Sequence, residues 1–235
     1  MQERVTPIQK IFLGVELEYS IKLIKLGLGE LQKIDGTNDF YFLPFLLLSN
    51  GYERLMKCML CFNHFNKHGI YPNQNNLKTH DLQKLKNRII DECIIEEKAK
   101  RTDSGKKDFE FLKQDSDLAE LLLMLSEFGK YSRYYNLDVV TAAKKPAKDV
   151  NQMWEDYEFK LIRNDDNLNN LFLKNDLDML YKEINTYIIK KLEFFTRALV
   201  RQFTLGDLGD DAAAYISVYS EFLFLNNSDL GSRKY

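Results

Sequence analysis

Chain breaks are rare in this sequence. Glycine and proline together supply 15 of 235 residues, 11 and 4 respectively, and these residues do most to set how often a chain can reverse. Few reversals mean few, long elements. Between the breaks, apolar residues recur at three- and four-residue spacing, and no strand–turn–strand pattern stands out. The expected fold class is all-α: an up-and-down helical bundle.

The spacing predicts a first helix over about Ile8 to Ile34, with Ile8, Phe12, Val15, Tyr19, Leu23 and Leu26 as its buried stripe. Ile11, Ile21, Ile24, Leu28 and Leu31 make its other faces apolar too, as in a central helix or one with a second interface. Asp35 to Asn38 is a turn signal. A second helix covers Phe40 to Phe65, with Pro44 near its start, where a missing N–H costs little. Gly51 inside it costs about 1 kcal/mol relative to Ala, which close approach of a neighbouring helix would justify. Gly69 to Thr79 is a polar loop. Thr79 reads as the N-cap of a third helix, with Asp81 near the positive end of its dipole and Leu82, Leu85, Ile89, Ile90, Cys93 and Ile94 as its stripe.

Glu96 to Lys107 reads as an exposed, charged linker. Asp115-Ser116-Asp117 opens a helix to about Tyr135, and Thr141 to Pro146 breaks the chain. A helix over Lys148 to Arg163 carries the only tryptophan, Trp154. Asn164 to Asn170 is turn-like. Leu177 to Thr204 is a long helix, Gly206 to Asp211 ends it, and Ala212 to Leu225 forms a last one. Asn226 to Tyr235 reads as a frayed tail. The chain is expected to form a single helical domain over residues 1–235, a core bundle over about 8–145 extended by C-terminal helices over about 146–225.

The 33 basic and 35 acidic side chains leave a formal charge of −2, which does not advertise a polyanion partner. Three cysteines, Cys58, Cys61 and Cys93, are an odd set that suits reduced thiols. The charged opening Met1 to Val5 lacks the apolar core of a signal peptide. The most apolar stretch, Phe40 to Leu48, falls short of the ~20 residues needed to span a bilayer. A soluble, cytoplasmic protein without membrane contact is expected.

Cys58, Cys61, His64 and His68 lie in the order C-x2-C-x2-H-x3-H. On one continuous helix they spread over roughly 15 Å, too far for one tetrahedral ion. No metal site is expected, although His64 and His68, four apart, could chelate as a pair. Glu-x-x-His, P-loop, G-x-G-x-x-G and G-x-S-x-G patterns are absent, and no cofactor is expected. Asp207 to Asp211 reads as a solvated turn and the cap of the next helix. Glu53 and Lys57 form an i,i+4 pair in the favourable order. If they face the start of the third helix, Glu53 or Asp81 could orient His80. Such a contact serves equally as a polar clasp fixing helix register.

Gly51-x-Glu53-Arg54-Leu55-x-Lys57-x-x-Leu60, followed by Thr79-His80-Asp81-Leu82-x-x-Leu85, resembles the HEPN superfamily. These α-helical bundles recur in toxin–antitoxin pairs, phage abortive-infection systems and RNA-processing proteins. The resemblance covers about residues 40–95 and implies a homodimer. Active members are metal-independent ribonucleases with Arg, often a polar residue, four to six residues and then His. In such a pair, the His moves the proton of the 2′-OH or leaving oxygen and the Arg stabilises phosphorane charge. Here no Arg precedes His64, His68 or His80 at that distance. Arg163-Asn164 begins like the motif, but Leu168, Asn169 and Asn170 stand where the His would be.

The expectation is a non-catalytic HEPN-like module that binds RNA, a nucleotide or a protein partner encoded nearby, in phage defence or stress response. Glu53, Lys57, His80, Asp81 and Arg88 are its candidate binding residues. One alternative is an endoribonuclease that pairs His80 with Arg88 or Arg163. Another is a structural adaptor, in which Tyr131, Tyr134 and Tyr135 beside Arg133 form a seam against another subunit rather than core.

Overall fold

A computed structural model describes residues 5–142 and 149–235, and among these residues the chain forms twelve α-helices and no strand. The architecture is an all-α helical bundle. Its first helix, α1 (Pro7–Leu31), opens on a capping box. The Thr6 hydroxyl accepts from the Gln9 amide while the Gln9 side chain accepts from the Thr6 amide. The second, α2 (Phe42–His68), ends at Gly69, whose φ of +73° is the left-handed conformation of a helix stop.

These two helices form an antiparallel hairpin at very close range. A Cβ placed on Gly51 would lie 2.8 Å from Ile24 Cγ1, and one on Gly27 would lie 2.6 Å from Leu48 Cγ. The expected reason for a mid-helix Gly51 is thus met by α1.

Beyond α2 come α3 (Leu82–Arg88), which continues through a π turn at Ile89–Cys93, then α4 (Glu96–Ala99), α5 (Asp103–Gln114) and α6 (Ser116–Lys130). After the short α7 (Tyr135–Val140), α8 (Val150–Asn164) and α9 (Asp166–Leu173) lead into the 25-residue α10 (Leu177–Arg201). The small α11 (Asp210–Ala213) and α12 (Ile216–Leu223) close the order. Helix α10 runs parallel to α2. Tyr52 stacks obliquely on Phe195 and its hydroxyl donates to Leu192 O, while Phe62 meets Phe203 edge-on one end further along. Buried side chains from Leu17 on α1 to Leu230 in the tail form one continuous cluster.

Several sequence expectations are corrected. The buried face of α1 is not the Ile8–Leu26 stripe. Leu17, Ile21, Ile24, Leu28 and Leu31 are buried, whereas Ile8, Phe12, Tyr19 and Leu26 are 59%, 65%, 51% and 58% exposed. The face that turns inward carries Gly14, Ser20 and Gly27, and small residues admit the neighbouring backbone where bulky ones would hold it off. The supposed linker Glu96 to Lys107 contains α4 and the start of α5. It is fastened by Lys98 on Asp207 at 2.6 Å and by the buried Ala99. Asp207 is thereby itself buried rather than solvated.

Asn164 to Asn170 is not a turn. The Asp165 carboxylate accepts from the Asn167 and Leu168 amides and starts α9. The tail is not frayed. Gly231 N and the Tyr235 hydroxyl both donate to Glu193, and Tyr235 N donates to Gln32. Tyr131 and Tyr134 are exposed. The charged opening Met1 to Arg4 lies outside the described residues. So do most of the break at Thr141 to Pro146, the expected helix start at Lys148 and the boundary at 145–146. Among the described residues no helix is long and apolar enough to cross a membrane.

Candidate functional site

The sequence places Glu53 and Lys57 one turn apart on α2, so both project from one face. The Asn-rich connector then returns the chain so that α3 begins against that face. Glu53 takes Lys57 Nζ on Oε1 at 2.7 Å and His80 Nδ1 on Oε2 at 2.9 Å. A carboxylate only accepts, so the pairing puts the proton on His80 Nδ1 and leaves Nε2 as the acceptor of the neutral ring. The Glu53 side chain is 15% exposed and the His80 side chain 59%. The carboxylate is therefore sheltered while the imidazole faces water.

One residue on, Asp81 rather than Thr79 caps α3. Its Oδ1 accepts from the Lys84 amide at 3.0 Å, while the Thr79 hydroxyl accepts from the Asp81 amide. Oδ2 of Asp81 receives Lys130 Nζ from the end of α6 at 2.7 Å. Burial acts to raise the pKa of this carboxyl, but the Lys130 and Lys84 hydrogen bonds and charges outweigh it and hold the group below the ordinary value. Below the cap, Leu82 N donates to the buried Ser126 hydroxyl at 2.9 Å. The start of α3 is thus pinned to α2 by Glu53 and to α6 by Lys130 and Ser126.

Lys130 and Ser126 were not singled out by the sequence reading. Ser126 was the legible one of the two, a lone hydroxyl four residues after Leu122 in an otherwise apolar stripe.

The remaining candidates lie elsewhere. Arg88 is engaged by Glu92 and by the carbonyl of Asn76. Arg163 is exposed in the last turn of α8. One turn before it, Lys160 reaches Asp117 and Glu120, at the opposite end of α6 from Lys130. At 1.5 Å per residue, that end lies about 15–20 Å from the Asp81–Lys130 contact, so Arg163 and His80 do not share a centre.

His64 and His68 stack with ring centroids 4.5 Å apart, and His64 Nδ1 donates to Ile70 O at 2.8 Å. Among the described residues no three His, Cys, Asp or Glu side chains gather as a metal site. All three cysteines are free, and Cys58 and Cys93 are buried. Burial raises each thiol, Cys61 to about 11 and Cys93 to about 12, so they stay protonated and unreactive near neutrality.

A buried carboxyl on α8 escaped the sequence reading altogether. Glu158 of α8 is 7% exposed. Its Oε1 accepts from the Tyr41 hydroxyl at 2.6 Å and from Trp154 Nε1 at 2.9 Å. Burial pushes its pKa up to about 7 against the pull of those two bonds. Its sequence signal was faint: a glutamate four residues after the tryptophan, on the apolar face of α8.

Comparison with family models, with curated proteins and with solved structures gave no match.

Proposed function

We propose that this chain is a non-catalytic, HEPN-like helical module that acts through protein contacts, assembling first with a second copy of itself along α1. The observation that carries this reading is the uncovered apolar seam on that helix. Ile8, Phe12, Val15, Tyr19, Lys22 and Leu26 follow one another at alternating spacings of four and three. That is the spacing of a coiled-coil seam, with a lysine as its single polar member. Ion pairs flank the seam: Lys10–Asp211 and Lys25–Glu221 toward α11 and α12, and Glu16–Arg54 toward α2.

The seam complements itself. An antiparallel two-fold about Leu17 pairs Ile8 with Leu26 and Val15 with Tyr19, and lays Phe12 along the alkyl stem of Lys22. The odd set of three cysteines suits a reducing compartment, and we place the protein in the cytoplasm.

Sedimentation velocity across a concentration series tests the reading, on the chain itself and on Phe12→Glu and Tyr19→Glu. Both side chains are more than half exposed, so the charges leave the protomer folded. A dimer that both substitutions dissociate is expected. A monomer at every concentration would reject self-assembly. Tight binding of RNA or a nucleotide by such a monomer would move the reading to those ligands.

A second reading has one observation in its favour. His80 is exposed, with Nδ1 held by Glu53 and the Lys57 ammonium on the same carboxylate. A ribonuclease could use this arrangement, with His80 as base and Lys57 as the cation beside phosphate. Incubation with structured RNA decides, since cleavage that survives His80→Ala would reject this assignment.

A further inference from the structure

We infer that the cavity between α8, α9 and the start of α10 is a binding site for a small organic cation with an apolar body, such as an arylalkyl ammonium. The cavity holds about 250 Å³. That is below the range of drug-sized sites and suits a ligand of fragment size. Its walls are Phe159, Phe172, Leu177 and Tyr181, and its charged groups are Glu155 and Glu158, with no lysine, arginine or histidine among its lining residues.

Glu158 makes this more than an acidic patch. It is nine-tenths buried, and both of its hydrogen bonds fall on Oε1. Oε2 is left with no protein donor among the described residues. Oε2 is not sealed in the core but open on the cavity side, and an ammonium in the cavity would supply it with both a hydrogen bond and a charge. Phe159 and Phe172 stand edge to face at 6.2 Å, and each is partly open to solvent. Aromatic rings around a carboxylate are the surroundings in which a desolvated cation gains most. Glu155, exposed on the same helix, adds a second negative charge to the lining.

The only tryptophan donates to this same Glu158, so its emission reports the site directly. We would titrate the full chain with phenethylammonium chloride, 2-phenylethanol and 3-phenylpropionate at about pH 8, above the value of about 7 to which burial raises Glu158, and in about 0.15 M salt, to screen long-range attraction. The ammonium is expected to change Trp154 emission saturably. The isosteric alcohol should bind about tenfold more weakly or worse, a difference of about 1.4 kcal/mol, and the carboxylate should not bind. Glu158→Gln keeps an oxygen for Tyr41 and Trp154, and it should abolish the preference for the ammonium over the alcohol. Equal binding of ammonium and alcohol by the unsubstituted chain would overturn the inference, as would no saturable binding of either. That comparison needs no variant to fold.

Discussion

At the scale of single residues, the buried carboxyl of Glu158 and the half-buried one of Asp81 behave in opposite ways, and each yields a prediction. Glu158 sits at about 7 against an ordinary value of 4.5, so the folded state holds this proton more tightly than the unfolded chain does. Its contribution is most favourable below about 4.5 and is lost as pH rises through 7. Relative to Glu158→Gln, the unsubstituted chain should therefore lose roughly 3 kcal/mol of stability between those limits. Urea denaturation at both ends of the window measures it, and parallel pH profiles for the two proteins would contradict it. Asp81 lies below its ordinary value and gains from ionisation. Asp81→Ala removes the α3 cap and leaves Lys130 without its partner, which should cost about 1–3 kcal/mol. His80→Ala removes only an exposed hydrogen bond to Glu53 and should cost about 0.5 kcal/mol or less. Similar losses for both would mean that the clasp does not have its strength at the cap.

At the scale of helices, glycine contacts separate tight packing from loose packing. Gly51→Ala places a methyl 2.8 Å from Ile24 Cγ1 and 3.0 Å from the Ile24 amide nitrogen. Part of that obstacle is backbone, so a loss of about 1–3 kcal/mol is expected. Gly129→Ala on α6 meets only Ser49 Cβ at 3.5 Å. It should be neutral or gain up to about 1 kcal/mol from the stiffer unfolded chain. Thermal melts of the two variants should move in opposite directions, or at least by clearly different amounts. The same helices bound what the sequence could reveal. Turn scarcity made the all-α class legible, and the glycine in α2 pointed to close approach of α1. The contact of the Glu53–Lys57 face with the start of α3 was legible only as a condition, because Glu53 lies 15 residues before the end of α2 and the path of the connector decides which turn α3 meets. The burial of α1 was not legible, because its apolar residues surround it and spacing alone cannot rank two apolar faces. Glu158 escaped because its partner Tyr41 lies 117 positions away. No local pattern announces such a contact.

At the scale of the whole molecule, α10 ties early and late segments together. Its Lys191 pairs with Asp115 at the cap of α6, its Arg201 with Asp108 of α5, and its Asn185 donates to Ile34 O beyond α1. The tail adds a clip. Through Glu193 and Gln32, Tyr235 bridges α10 and the end of α1, while Arg233 pairs with Glu221 of α12. Trp154 lies on α8, in the part of the chain read from sequence as an extension, yet it packs on Tyr41 and Phe45 at the entry to α2. If helices from both halves share one core, they cannot melt separately. Unfolding in urea followed by Trp154 emission and by far-ultraviolet circular dichroism should then give superimposable transitions, the signature of one cooperative unit. An emission change that precedes the loss of helix would divide the molecule at α8. Tyr235→Phe sharpens the comparison, because it leaves the buried Glu193 with a single donor, Gly231 N. It should lower the stability read from both signals together, by about 1–3 kcal/mol. A shift confined to one signal would mean that the tail clip acts on its neighbours alone.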